Sequence, residues 1–413
     1  MNQSKSSDKN HGRRLSTAMV FILMFSMVSL FSDMTHESAS SIRGAFLALL
    51  GASATVIGFV SGLGELVGYG MRYIFGRLAD RTRCYWPMII AGYVLDIVAV
   101  PALALVGEHG WVAACALLII QRMGKAIKKP AKDTVLSFAA SQEGAGKSFA
   151  IQEMLDQIGA FLGPVLLYVI MLLRGDGSDY DRYTFCFAML AIPGALTLVL
   201  LFLTCRRFPN PEKFEPTPTV LVPFRMKGRF VLYIAGISLC AFGFIDYSLV
   251  LMHVSRLRLF SVTSLPLLYA GAMLIDAFSA LFFGYMFDRW KALALVVSTL
   301  LSCTFSIFIF VISTRWAVIV GVALWGIGMG AQESILKAAV TTLVPKQSRA
   351  TGYGVFECSF GIFWFIGSWL LGALYDYSLT AMVLVSLIAQ VAAIPLYILS
   401  HGSRTNGHAA PAQ

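Results

Sequence analysis

The sequence predicts an all-α integral membrane protein with twelve transmembrane helices in two pseudo-symmetric six-helix bundles. Three observations carry that expectation. The 413-residue chain is 57% hydrophobic and only 13% charged, whereas soluble domains carry about 25% charged residues. The apolar residues fall into blocks of about 20, the length that crosses a hydrocarbon core of roughly 30 Å. One motif recurs about half a chain apart, as Gly76-Arg-Leu-Ala-Asp80-Arg81 and Gly284-Tyr-Met-Phe-Asp288-Arg289.

The blocks run over 15–42, 53–77, 85–106, 110–136, 148–173 and 183–204, then over 229–254, 264–287, 292–313, 316–343, 350–374 and 378–399. They divide the chain into a basic tail (1–14), a first bundle (15–205), a linker loop (206–228), a second bundle (229–400) and a polar tail (401–413). The first tail runs straight into its apolar block with no small-residue cleavage site after it, so the block reads as a retained helix. The linker holds Pro209, Pro211, Pro216, Pro218 and Pro223, a composition that should not form a helix. Little chain lies outside the blocks, which leaves no room for a separate soluble catalytic domain; the expectation is no enzyme.

The net charge of +10 could suggest nucleic acid, but the distribution of cations indicates topology instead. With the N-terminus inside, 22 Lys and Arg side chains fall on the cytoplasmic side, Lys128, Lys129 and Lys132 among them. The outer set is Arg43, Arg174, Arg182, Arg256, Arg258 and Arg315. That asymmetry places both termini in the cytoplasm of a multi-pass cell-membrane protein, with a bacterial inner membrane as the expected site. Arg72, Arg122, Lys125 and Lys337 remain at membrane depth. The seven cysteines are scattered without close pairs and the six histidines form no cluster, so no metal and no cofactor is expected. Gly144-Ala-Gly146-Lys147-Ser148 resembles the end of a phosphate-binding loop. Ser141 stands where its first glycine should be and no strand precedes it, which excludes nucleotide binding.

The halves match beyond the recurring motif. Trp111 pairs with Trp316 and Lys132 with Lys337 at one offset, Glu153 and Gly163 pair with Glu357 and Gly367 at nearly the same one, and Asp33 aligns with Asp246. A doubled membrane chain is the sequence form of a secondary transporter.

An ionisable group within a span costs about 2.5–3.5 kcal/mol or more on insertion scales, which makes each one a functional candidate. Asp33, His36 and Glu37 share one face of the first span, in its outer half; they face a cavity or form a solvated helix end. Arg122 lies about 18 Å along the fourth span, near mid-membrane, with Lys125 nearly a turn deeper. Glu65 and Arg72 occupy the second span, Glu153 and Asp156 one face of the fifth, Asp246 the seventh, Asp276 the eighth and Glu357 the eleventh. Glu333 and Lys337 are four apart on the tenth and either face the cavity or satisfy each other. The aromatic run Phe360, Phe363, Trp364, Phe365 and Trp369 forms a substrate wall or packs against helices and lipid.

These residues resemble the major facilitator superfamily over nearly the whole chain. That family carries Gly-x-x-x-Asp-Arg-x-Gly-Arg-Arg/Lys between spans two and three. Gly76, Asp80 and Arg81 match, while Arg83 replaces the second glycine and Cys84 and Tyr85 the basic pair. The resemblance implies that Asp80, with its counterpart Asp288-Arg289, latches the cytoplasmic side. Gly159-Ala-Phe-Leu-Gly163-Pro164 is similar to part of the fifth-span motif of drug:proton antiporters, without the glycines that should follow; small residues at this spacing also simply let helices pack closely. Arg122-Met-Gly124-Lys125 loosely resembles a fourth-span antiporter pattern. The family lines its central cavity with spans one, four, seven and ten, which places Asp33, Glu37, Arg122, Lys125, Asp246, Glu333 and Lys337 there.

The resulting expectation is a monomeric secondary transporter that moves a small organic solute across the lipid bilayer by alternating access, coupled to protons and directed to export. Burial disfavours the charged form of a carboxylate, which suits proton binding; Asp33, Glu37, Glu153, Asp156 and Asp246 are the candidates, and His36, Arg122, Lys125, Glu333 and Lys337 the cavity residues. Uptake of an anionic metabolite stays open, as does a non-transporting membrane sensor or assembly factor.

Overall fold

The structure, a computed structural model, describes residues 16–143, 145–175, 177–214, 228–344 and 349–401; within these, the side chains of Tyr73, Asp80, Ser141, 145–147, 149–150, Glu333, 335–342, 349–351, 353 and 401 are not described. The expectations for both tails, for most of the linker and for the side chains of Asp80, Glu333 and Lys337 therefore lie outside the described residues.

The described residues are helical almost throughout. The first half comprises α1 (Thr17–Leu49), α2 (Ala54–Thr82), α3 (Tyr85–Ala102), α4 (Trp111–Glu143), α5 (Ala145–Arg174) and a sixth crossing broken into α6 (Asp179–Met189) and α7 (Ala191–Arg207). The second comprises a seventh crossing broken into α8 (Gly228–Gly243) and α9 (Tyr247–Arg256), then α10 (Leu265–Trp290), α11 (Ala292–Cys303), α12 (Arg315–Leu343), α13 (Arg349–Tyr377) and α14 (Leu379–His401). Among the described residues ten stretches are long and apolar enough to cross a membrane by length and composition. The α4 and α12 helices complete the twelve crossings; α4 falls short in apolarity because Arg122, Lys125, Lys128, Lys129, Lys132 and Asp133 all lie on it. Large apolar side chains such as Leu173, Leu281, Phe278 and Trp316 point outward and stay exposed, as a lipid-facing surface requires.

Local sequence explains the helix ends. Ser16, Ser53 and Ser178 cap α1, α2 and α6, each side chain accepting from a backbone N–H in the first turn, which satisfies a donor that the helix leaves open. The repeat is visible in the backbone itself. Arg83 ends α2 at φ 52° and Lys291 ends α10 at φ 32°. Their N–H groups donate to Ala79 O at 2.8 Å and to Phe287 O at 2.9 Å. Arg83 is left-handed, where a glycine is the usual cap, while Lys291 shares only the positive φ; neither half has a glycine there.

The two halves also use equivalent glycine contacts. A Cβ on Gly163 of α5 would stand 2.3 Å from Met34 O of α1, and one on Gly367 of α13 would stand 2.1 Å from Phe242 O of α8. Matching these contacts sets Asp33 against Ala241 and Ser38 against Asp246. The alignment of Asp33 with Asp246 is thus corrected by more than a helical turn, and the two carboxylates sit at different depths.

Three other expectations change. The α1 helix extends to Leu49, beyond the block ending at 42, so Asp33 to Glu37 occupy its middle and not its outer half. Arg43, assigned to an outer loop, is buried inside that helix. Lys128 and Lys132, assigned to the cytoplasmic surface, are likewise buried. In the linker, Pro211–Phe214 forms a short 3-10 turn. Trp86 Nε1 donates to Phe208 O at 3.0 Å and Gln142 Nε2 to Phe214 O at 2.9 Å, so this part of the linker docks on the end of the first half where α1 begins. That end is called the near side below, and the end carrying Leu49 and Arg256 the far side.

Candidate functional site

Between the halves lies a two-lobed cavity. One lobe, of about 270 Å³, extends toward the far side. The other, of about 290 Å³, runs along α4 and α5 toward the near side. Glu37, Arg72, Lys125, Tyr269, Trp325 and Met329 line both, at the junction. In the far lobe the wall is divided by chemistry. The first half supplies His36, Glu37, Arg43, Glu65, Arg72, Arg122 and Lys125 with Tyr69; the second supplies mostly aromatic side chains, Tyr247, Tyr269, Trp325, Phe356, Phe360 and Trp364, together with Asp246, Gln332 and Glu357.

Most charges on that wall are matched. Arg122 pairs with Glu65 at 2.7 Å, within the first half. Arg72 of α2 reaches Glu357 of α13 at 3.6 Å, across the boundary. Tyr269 of α10 donates to Glu37 Oε2 at 2.6 Å, also across it. His36 lies 3.7 Å from Glu37, and its Nδ1 contacts Gln121 Nε2. Lys125 has no hydrogen bond or ion pair among the described residues, although it lines both lobes.

The far side is sealed. Arg43 Nε donates to Ser248 Oγ at 3.0 Å, and its guanidinium lies 3.9 Å from Asp246. Asp246 is the N-cap of α9, accepting from Ser248 N at 2.8 Å, at a break in the seventh crossing over 244–246. Gly44 lets α1 approach so closely that a Cβ there would stand 2.0 Å from Ser248 O. Asp376 of α13 accepts from Thr55 N at 2.8 Å and Thr55 Oγ1 at 2.7 Å, closing α2 against α13.

The near lobe is ionic. Asp33, Lys128, Lys129, Lys132, Glu153, Asp156 and Asp276 line it. Lys128 is tied to Asp96 at 2.5 Å and Ser32 at 3.0 Å, with Tyr93 beneath it at 3.8 Å. Lys132 lies 3.8 Å from Asp156. Asp33 faces this lobe without an ion pair or hydrogen bond among the described residues.

The sequence expectations therefore divide. Asp33, His36, Glu37, Arg122, Lys125 and Asp246 do line the cavity. Glu153 lines the near lobe but is exposed. Asp156 is engaged by Lys132, and Asp246 caps α9 beside Arg43. Gly159, Gly163 and Pro164 lie on the helix-packing surface of α5, where Gly159 and Gly163 approach Leu30 O and Met34 O. Gly76 and Gly284 meet only ordinary contacts from Pro130 and Ser334, while Arg81, Asp288 and Arg289 are exposed. Of the aromatic run, Phe360 and Trp364 form cavity wall, Phe365 and Trp369 pack on Phe59, and Phe363 is exposed.

Arg43, Asp96, Lys128 and Gln332 are absent from the sequence-predicted site. Two signals could have found Arg43 and Asp96. His36, Ser40 and Arg43 continue one polar stripe at helical spacing, and Asp96 is an ionisable residue in the middle of an apolar crossing.

The chain matches the description Major Facilitator Superfamily over residues 14–367, with a second match over 257–412. An uncharacterised protein of Mycobacterium tuberculosis is 38% identical over 384 residues, covering 92% of each chain. An uncharacterised MFS-type transporter of Methanocaldococcus jannaschii is 27% identical, covering 91% of this chain and 93% of its own. Multidrug resistance protein MdtH of Proteus mirabilis is 24% identical over 66% of this chain and 64% of its own. Among solved structures, a bacterial homologue of the human lysosomal transporter Spinster superposes with a TM-score of 0.70 at 14% identity, over 92% of this chain and 96% of its own. With a helix order, an internal repeat and a sequence match that agree over most of its length, the chain belongs to the Major Facilitator Superfamily.

Proposed function

We propose that the protein exports a small organic solute by alternating access, driven by proton entry, with the two-lobed cavity as the solute site. The observation that carries this reading is the cavity itself. It lies between the two halves at the middle of the crossings, is closed on the far side by Arg43–Ser248 and Thr55–Asp376, and holds ionisable groups at its junction. Asp33 and Glu37 are the proposed proton carriers. Both face the lobes, whereas Asp246 and Asp156 are already engaged by Arg43 and Lys132. The cation asymmetry supports cytoplasmic termini, which makes the near side cytoplasmic and the sealed far side external. The similarity to a multidrug resistance protein supports export. The Asp80 and Asp288 motif is proposed as the latch of the near side.

Uptake of an anionic metabolite is the second reading, and unengaged Lys125 favours it. The test is a thermal-shift ligand screen on purified protein, followed by flux of the hits in proteoliposomes under an imposed pH gradient. Accumulation against the solute gradient that collapses with the pH gradient supports the proposal, and its direction separates export from uptake. A protein that binds ligands but shows neither net flux nor counterflow is a sensor.

A further inference from the structure

On the far lobe, Lys125, Gln332 and Trp364 lack hydrogen-bond or ion-pair partners among the described residues, and their chemistries are complementary to one kind of molecule. Gln332 is 8% exposed, yet neither its Nε2 nor its Oε1 has a hydrogen-bond partner among the described residues. Trp364 is 5% exposed, and its Nε1 is also unpartnered. Both line the lobe that Lys125 enters. Leaving such buried atoms unmade is costly, so each calls for an occupant of the lobe.

The demands differ in kind. Lys125 offers only donors and a positive charge, and the Trp364 indole offers one donor. Gln332 offers a donor and an acceptor side by side, which only a group presenting both can satisfy at once. Around them stand aromatic faces: Phe360 packs 5.3 Å from Trp364, and Tyr247 packs 4.8 Å from Trp325. Trp325 has its own N–H committed to Ile245 O at 3.0 Å, so it contributes a ring face and no hydrogen bond to the lobe.

We infer that the far lobe takes a flat aromatic organic anion that bears an amide-type group: the anion at Lys125, the amide on Gln332, an acceptor on Trp364 Nε1 and the ring among the aromatic faces. This inference rests on the reading of the cavity as the solute site. Arg122 does not supply the anion site, because Glu65 holds it at 2.7 Å; Arg72, 3.6 Å from Glu357 and with its Nε unpartnered among the described residues, stands at the same junction as Lys125 and adds to its positive charge. A cationic solute would meet Lys125 as a like charge.

The experiment measures binding of four probes to the full chain in lipid nanodiscs, by quenching of tryptophan fluorescence. Hippurate carries phenyl ring, amide and carboxylate together. Phenylvalerate lacks the amide, hippurate methyl ester lacks the charge, and the aminoethyl amide of benzoic acid replaces the carboxylate by an ammonium. Hippurate should bind about tenfold or more tightly than each of the others, the size expected of one hydrogen bond to a charged group or one buried amide left unpaired. Lys125→Gln, which breaks no ion pair among the described residues, should erase the preference for hippurate over its methyl ester. Gln332→Leu should erase the preference over phenylvalerate while phenylvalerate still binds.

Equal or tighter binding of the ammonium probe, retention of both preferences in the variants, or failure of all four probes to bind overturns the inference. If an ammonium solute is bound and also carried in proteoliposomes, the transport reading stands and this one falls. If hippurate binds with the stated selectivity but no solute ever moves, the transport reading falls and this one stands.

Discussion

Arg43 on α1 reaches Ser248 on α9 at 3.0 Å, a contact that joins the two halves beside the break in the seventh crossing. Ser61 of α2 adds a hydroxyl to the same Ser248 at 3.2 Å. A hydrogen bond to a charged group is worth about 1.5–3 kcal/mol. Arg43→Gln should therefore shift the far side toward opening by roughly tenfold or more. A cysteine placed at Ser40, in a background freed of native cysteines, should then react correspondingly faster with an impermeant reagent on intact cells. An unchanged rate would leave Arg43 a packing residue with no part in the seal.

Asp33 and Glu37 test the coupling. Asp33→Asn should abolish accumulation driven by a pH gradient but spare exchange of solute for solute, which needs no net proton movement. Glu37→Gln should show the same split and also weaken the Tyr269 contact that ties the halves, since the amide oxygen accepts that hydrogen bond without the charge. Both variants accumulating solute at the wild-type rate would move the proton site elsewhere, to Glu153 first, which lines the near lobe and has no ion pair among the described residues.

Arg83 holds a left-handed conformation and Lys291 another positive-φ one, and such backbone costs a non-glycine residue roughly 1–3 kcal/mol. Arg83→Gly and Lys291→Gly should each raise the melting temperature of the purified protein, by about 1 kcal/mol of stability, with expression unchanged. A fall in melting temperature would mean that these side chains hold something at the helix ends that outweighs the strain.

The packing glycines should behave in the opposite way. Gly163→Leu and Gly367→Leu each force a side chain against the backbone of a neighbouring helix. Overpacking of this kind costs about 1–3 kcal/mol or more. Both variants should lose folded protein on size-exclusion chromatography, whatever solute is present. Full recovery of either would show that the α1–α5 or α8–α13 contact can slide apart.

The fold was legible in the sequence because a bilayer writes it in blocks: apolar length, cation asymmetry and the Gly76–Arg81 repeat are all local signals. The cavity was half legible. Asp33, Glu37, Arg122 and Lys125 stand out as ionisable residues within apolar stretches, and helical spacing puts Asp33 and Glu37 on one face. Partners were not legible, since Glu65, Glu357 and Tyr269 find theirs only once the helices pack. The unsatisfied amide of Gln332 was not legible either, because a glutamine inside α12 carries no charge to mark it. Arg43 was misassigned because the polar residues from Asp33 to Arg43 lower the apparent apolarity of a helix that continues to Leu49.

The central claim is that the far-side seal is one of two states of a single cavity. Its most direct measurement is the distance between spin labels at Leu49 and Leu257, both exposed at the far ends of their elements, in the full chain reconstituted in nanodiscs. The account predicts at least two distance populations, the shorter matching the sealed far side described here and the longer an opened one, with proportions that change between acidic and neutral pH. A single short distance under all conditions, with cavity ligand and without, would contradict it.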